Sequence, residues 1–229
     1  MPPIPSIWII LIAFMILSWI IGARLKSKFA QFSRIPNSYG VSGKEVAERM
    51  LRDSGIDGVK VISVRGRLTD HYNPLNRTVN LSPEVHDGRS VAAAAVAAHE
   101  CGHAIQHAHA YSFLQMRSAL VPVVSLTSKW VQWILLAGVL LMETMPGLLL
   151  AGIIMFSLMT LFSFITLPVE IDASRRALVW LNGSGITTNA THPKAQEALR
   201  WAAYTYVVAA LASLATLLYY IALFMGRRN

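Results

Sequence analysis

Val91-Ala-Ala-Ala-Ala-Val-Ala-Ala-His-Glu-Cys-Gly-His103 is the stretch that decides how this chain is read. Alanine has the highest intrinsic helix propensity, so the run Ala92–Ala98 predicts a helix that leads straight into the histidines. His99 and His103 stand four residues apart and therefore share one helix face. Two imidazoles on one face can hold a single Zn²⁺ ion together, and Glu100 lies where its carboxylate reaches a water on that metal. The metal lowers the pKa of the water, and the carboxylate takes the proton as the water attacks a carbonyl. One zinc ion is expected, with His99 and His103 as ligands and Glu100 as general base.

Working outward, residues 26–117 read as a small α+β, zincin-like unit carrying this HExxH helix. Ser42-Gly-Lys-Glu45 is a capping-box pattern, and Val46, Met50 and Leu51 follow at helical spacing. An amphipathic helix is predicted over about 43–54. Val59–Val64 is rich in β-branched residues and predicts a strand. Leu68–Tyr72 and Arg77–Leu81 flank the turn-rich Asn73-Pro-Leu-Asn76 and predict a hairpin. Ser82-Pro83 opens a further helical turn.

Beyond this unit the chain is strongly apolar. Of its 229 residues 54% are hydrophobic and 14% charged, against roughly 25% charged in soluble domains. About 20 apolar residues span a bilayer as helix, and segments 7–23, 118–169 (a helical hairpin) and 201–225 supply four spans. The expected fold is a mainly α integral membrane protein of about four transmembrane helices. Lys129 interrupts the second span, which either starts near Trp130 or lets the lysine snorkel. Met1–Ser6 carries no basic side chain, and Arg24, Lys26 and Lys28 follow the first apolar run. That is the flank order of a retained anchor, not of a cleaved signal. The net charge of +8 would suggest nucleic acid in a soluble protein; here it reads as membrane topology, and no nucleic-acid partner is expected. The single cysteine, Cys101, excludes an intrachain disulfide.

A catalytic zinc site usually has three protein ligands and one open position. His109 follows His99 at metzincin spacing, but Gln106 stands where that pattern has Gly. His107 lies a further turn along a straight helix. Glu170, in the polar segment 170–200, is the stronger candidate. It ends the third apolar span, where an acidic residue is costly without a partner. Cys101 faces away from the metal side and reads as a packing residue.

The combined pattern resembles the YugP-like membrane zinc metallopeptidases of bacteria and, more distantly, gluzincin membrane proteases of the HtpX type. The residues that carry the resemblance are Asn73-Pro-Leu-Asn-Arg77, His99-Glu-Cys-Gly-His-Ala-Ile-Gln-His107 and Leu167-Pro-Val-Glu-Ile-Asp-Ala-Ser174. It implies a gluzincin site with His99, His103 and Glu170 as ligands and Glu100 as base. The HtpX-like pattern places an Asp four residues after the ligand Glu to support a histidine; this chain has Ser174 there and Asp172 two residues earlier. Asp172 is a candidate to support a ligand from behind. His71, in the hairpin before the active helix, is a candidate to stabilise the oxyanion.

Basic residues cluster after the first span and after the third, which places both site-bearing segments in the cytoplasm. Arg227 and Arg228 follow the last span and oppose this orientation; the larger clusters outweigh them. The function expected is a multi-pass, cell-membrane zinc metalloendopeptidase acting on protein or peptide substrates in or near the bilayer. Two rivals are a non-catalytic zinc-binding membrane protein, closed by a fourth ligand such as His107 or His109, and a peripheral basic module that binds anionic lipid.

Overall fold

The computed structural model describes Pro5 to Gly226. Arg227 and Arg228, the charges that oppose the expected orientation, lie outside the described residues. The elements are α1 (Pro5–Phe32), α2 (Gly43–Asp53), β1 (Lys60–Ser63), β2 (His71–Asn73), β3 (Thr78–Leu81), α3 (Pro83–His86), α4 (Val91–Ala108), α5 (Ser112–Leu140), α6 (Pro146–Gly183) and α7 (His192–Gly226). Among the described residues, four helices are long and apolar enough to cross a membrane, starting at Ile7, Ser112, Pro146 and His192. The chain is a mainly α, multi-pass membrane protein with a small sheet.

The chain divides into two compact units. One comprises Ile21–Leu114 and Pro168–Tyr204. Its core is built around α4, whose alanines 92–95, 97 and 98 are all buried. Small side chains let other elements approach the helix closely, and Val46, Ala47, Met50 and Leu51 of α2 fill that space. The capping box is formed: Ser42 Oγ accepts from Glu45 N–H, and Glu45 Oε2 accepts from Ser42 N–H at 2.6 Å. Ser42→Ala should lower the unfolding free energy by about 1 kcal/mol, read as a shifted denaturant midpoint with unchanged slope.

The sheet order is β1-β3-β2. β2 pairs antiparallel to β3, as a hairpin requires, with Tyr72 opposite Val79. β1 pairs parallel to β3, with Val61 opposite Val79. β3 is therefore central, and Val79 and Leu81 are wholly buried in the same core as α4. Asp70 accepts from Ser82 N–H (2.7 Å) and Ser82 Oγ (3.0 Å), fixing the chain where it leaves β3 for α3.

The other unit contains residues 115–167, the chain up to Ile20 and the chain from Thr205 onward. Its core is Val131, Leu135, Met142, Leu149, Ile153 and Leu223. α5 and α6, joined by a short turn, pack against each other, Leu135 against Leu149 and Ile153. α5 passes Lys129 without a break, and Lys129 is exposed. α6 runs through Pro168 to Gly183, so the polar segment after the third apolar run begins as helix. That continuity fixes which face of α6 Glu170 occupies.

Candidate metal centre

Two helices build the site. α4 presents His99 and His103 one turn apart, with ring centroids 4.8 Å apart and planes at 83°. α6 brings Glu170 between them. Glu170 Oε2 lies 3.3 Å from His99 Nε2 and 3.6 Å from His103 Nε2. The ligand atoms of all three lie within 4.8 Å of one another. Glu170 is 3% exposed and His103 8%, while His99 keeps a partly open side toward solvent.

The approach of the helices depends on Gly102. A Cβ there would lie 2.6 Å from Ala173 O and 3.0 Å from Ala173 Cα, both backbone atoms of α6. Only a residue without a side chain lets α6 come near enough for Glu170 to reach both imidazoles.

Each histidine is held through its far nitrogen. His99 Nδ1 lies 3.1 Å from Ser174 Oγ. His103 Nδ1 lies 3.1 Å from Gln106 Oε1. Gln106 is fully buried, and its amide nitrogen donates to Val169 O at 2.8 Å and to Asp172 Oδ2 at 3.0 Å. Asp172 accepts in turn from Arg176 Nε (2.5 Å) and from an Arg175 guanidinium nitrogen (3.0 Å). Asp172 thus stands behind His103, one amide removed, and the position that resemblance gives to an acid is filled by Ser174 at His99.

Glu100, 7% exposed, sits on α4 between the two histidines in sequence. Burial would make His103 a weaker base, but hydrogen bonding to Glu170 and the charges of Glu100 and Glu170 outweigh it and raise its pKa. The cluster therefore draws positive charge. Two imidazoles and a carboxylate converging from two helices, with one side partly open, fit a catalytic zinc ion, which takes three such ligands and leaves a position for water.

Other residues singled out from the sequence lie apart from this cluster. His71, on β2, is exposed, and its Nδ1 is 2.7 Å from Thr69 O. His107 and His109 are exposed, and His107 Nδ1 is 2.9 Å from the Tyr72 hydroxyl. That contact ties the edge strand β2 to α4. Cys101 is buried, its thiol pushed well up by burial, and lies 3.5 Å from Ala47 O on the side facing α2. In the sequence Gln106 and Ser174 stand out only as departures from known patterns, at a glycine and an acid position, and not as groups behind the histidines. The legible signal was polarity at the wrong place: a glutamine three residues after His103 on the same buried helix.

Fold and site together are those of a multi-pass membrane protein with two histidines and a glutamate grouped where they could hold a metal ion. The family model described as "Putative neutral zinc metallopeptidase" matches residues 7–225, and the chain belongs to that family. A curated relative from Bacillus subtilis (strain 168), "Putative membrane protease YugP", is 42% identical over 206 residues, covering 90% of this chain and 91% of the relative. No solved structure matches the chain.

Proposed function

We propose that this chain is a membrane-embedded zinc metalloendopeptidase of the gluzincin type. The observation that carries this is the convergence of His99 Nε2 and His103 Nε2, from the helix that also bears Glu100, with a Glu170 carboxylate oxygen from α6, all within 4.8 Å. His99, His103 and Glu170 would hold the ion. Bound zinc supplies Lewis acidity, acidifying a water and polarising a peptide carbonyl. Glu100 accepts the proton of the attacking water and delivers it to the leaving nitrogen, so that the amine departs neutral. Burial of Glu100 and Glu170 keeps bulk water from competing for these contacts. Gln106 and Ser174 orient the imidazoles, and Asp172 supports Gln106. His71 remains a candidate oxyanion donor only if substrate draws it from Thr69.

The substrates that suit this placement are membrane or membrane-proximal proteins. Basic residues flanking the site-bearing segments favour a cell-membrane protein with its site on the cytoplasmic face. A closed, four-ligand zinc site would suit a storage or structural role instead. His107 and His109 do not supply that ligand: both are exposed, and His107 is engaged by Tyr72. The test is cleavage of casein by detergent-purified protein. A chelator should abolish cleavage, and zinc added back at about one equivalent should restore it. Cleavage that survives complete metal removal would rule the proposal out.

A further inference from the structure

Gln106 is an amide buried completely inside the protein, and each of its polar atoms has a defined partner. Its nitrogen carries two protons, and both face acceptors that cannot donate. One is the main-chain oxygen of Val169 at 2.8 Å; the other is Asp172 Oδ2 at 3.0 Å. Asp172 is held as a carboxylate by two guanidinium groups, from Arg176 and Arg175, at 2.5 and 3.0 Å. Turning the amide over would set its oxygen against two other acceptors and lose both bonds. The oxygen must therefore face His103 Nδ1, 3.1 Å away. A side-chain carbonyl only accepts, so Nδ1 must carry the proton. In a neutral imidazole that leaves the lone pair on Nε2, the nitrogen that faces Glu170.

The arrangement at His99 is different in kind. Ser174 Oγ, 3.1 Å from His99 Nδ1, can donate or accept, so it steadies the ring without choosing its tautomer. Val169 and Asp172 also lie on either side of Glu170 in α6. The amide that selects the His103 tautomer thus pins the turn of α6 that carries the third ligand.

We infer that Gln106 is a positioning residue that reads the Asp172 carboxylate on one side and, on the other, fixes His103 in the tautomer whose Nε2 binds the metal. This deepens the zinc-site reading and rests on it. Groups behind a metal-bound histidine commonly change metal affinity by about 10- to 100-fold when removed.

The test is the zinc dissociation constant of the full chain in detergent, measured by chelator competition. The variants are Gln106→Glu, Asp172→Asn and the two together. Gln106→Glu alone sets two carboxylates against each other and removes the donor to Val169. Asp172→Asn alone removes the charge that holds the amide in place and leaves one acceptor oxygen, with an NH₂ turned against the arginines. Each single change should weaken zinc binding by about 10-fold or more. The double variant keeps the charge, keeps an acceptor at His103 Nδ1 and restores a donor–acceptor contact between positions 106 and 172. It should bind zinc more tightly than Gln106→Glu alone, because the clash of two carboxylates is gone. A space-filling role cannot give that rescue, because all the side chains are nearly the same size. If the single variants bind zinc like the wild type, or the double variant is no better than Gln106→Glu alone, the inference fails. Failure of the underlying reading looks different: the wild type itself would bind no zinc.

Discussion

Glu100→Gln is expected to keep the zinc ion and lose peptide hydrolysis by about 10²- to 10⁴-fold. The substitution is isosteric and removes one thing, a group that can take a proton. Glu100 lies outside the set of three side chains whose ligand atoms converge, so the ion keeps all of its protein ligands. Its side chain is buried beside them, where a carboxylate is costly and an amide is tolerated. The variant should therefore fold at least as well as the wild type. The checks are zinc content by mass spectrometry and casein cleavage on the same preparation. Cleavage within about threefold of wild type would remove Glu100 from the general-base role.

Gly102→Ala should damage the site without touching any ligand. In the middle of an exposed helix, Gly→Ala stabilises by up to about 1 kcal/mol. Here the new methyl would meet Ala173 O at 2.6 Å and Ala173 C at 3.1 Å. These are backbone atoms and cannot rotate away, so α6 must move. Overpacking of this kind costs about 1–3 kcal/mol, which exceeds the gain in propensity. The movement carries Glu170, three residues before Ala173, and Ser174, one residue after it. Zinc needs its ligand atoms at about 2.0–2.2 Å, so a displacement of a few tenths of an ångström is felt at once. A misplacement approaching 1 Å costs on the order of 100-fold in rate. Gly102→Ala should weaken zinc binding at least about tenfold and lower thermal stability as well. Unchanged zinc affinity in Gly102→Ala would mean that α4 and α6 do not need this contact.

Much of this was legible in the sequence, and the reasons differ by element. The helix α4 was legible because alanine propensity and HExxH spacing agree. The four long helices follow from the length of apolar runs, which the bilayer sets. Glu170 could be chosen because a carboxylate at the end of an apolar run calls for a partner. The parallel pairing of β1 with β3 was not legible. Local turn signals specify the β2–β3 hairpin but say nothing about a third strand that joins from earlier in the chain. The composition of 170–200 marks a polar segment but not where helix α6 ends, which is at Gly183. The Gln106–Asp172 contact joins residues 66 apart, and no periodicity within either helix encodes it. Measured around α6 alone, Asp172 points well away from Glu170. Only the crossing of α4 over α6, allowed by Gly102, brings it behind His103 through Gln106.

The most direct test is the zinc stoichiometry of purified wild type and Glu170→Ala, each measured beside its casein cleavage. The account predicts about one zinc per chain and active wild type, with both zinc and activity lost in Glu170→Ala. A Glu170→Ala protein that keeps its zinc and still cleaves casein would contradict it, because the ion would then be held without the carboxylate that α6 brings to the two histidines.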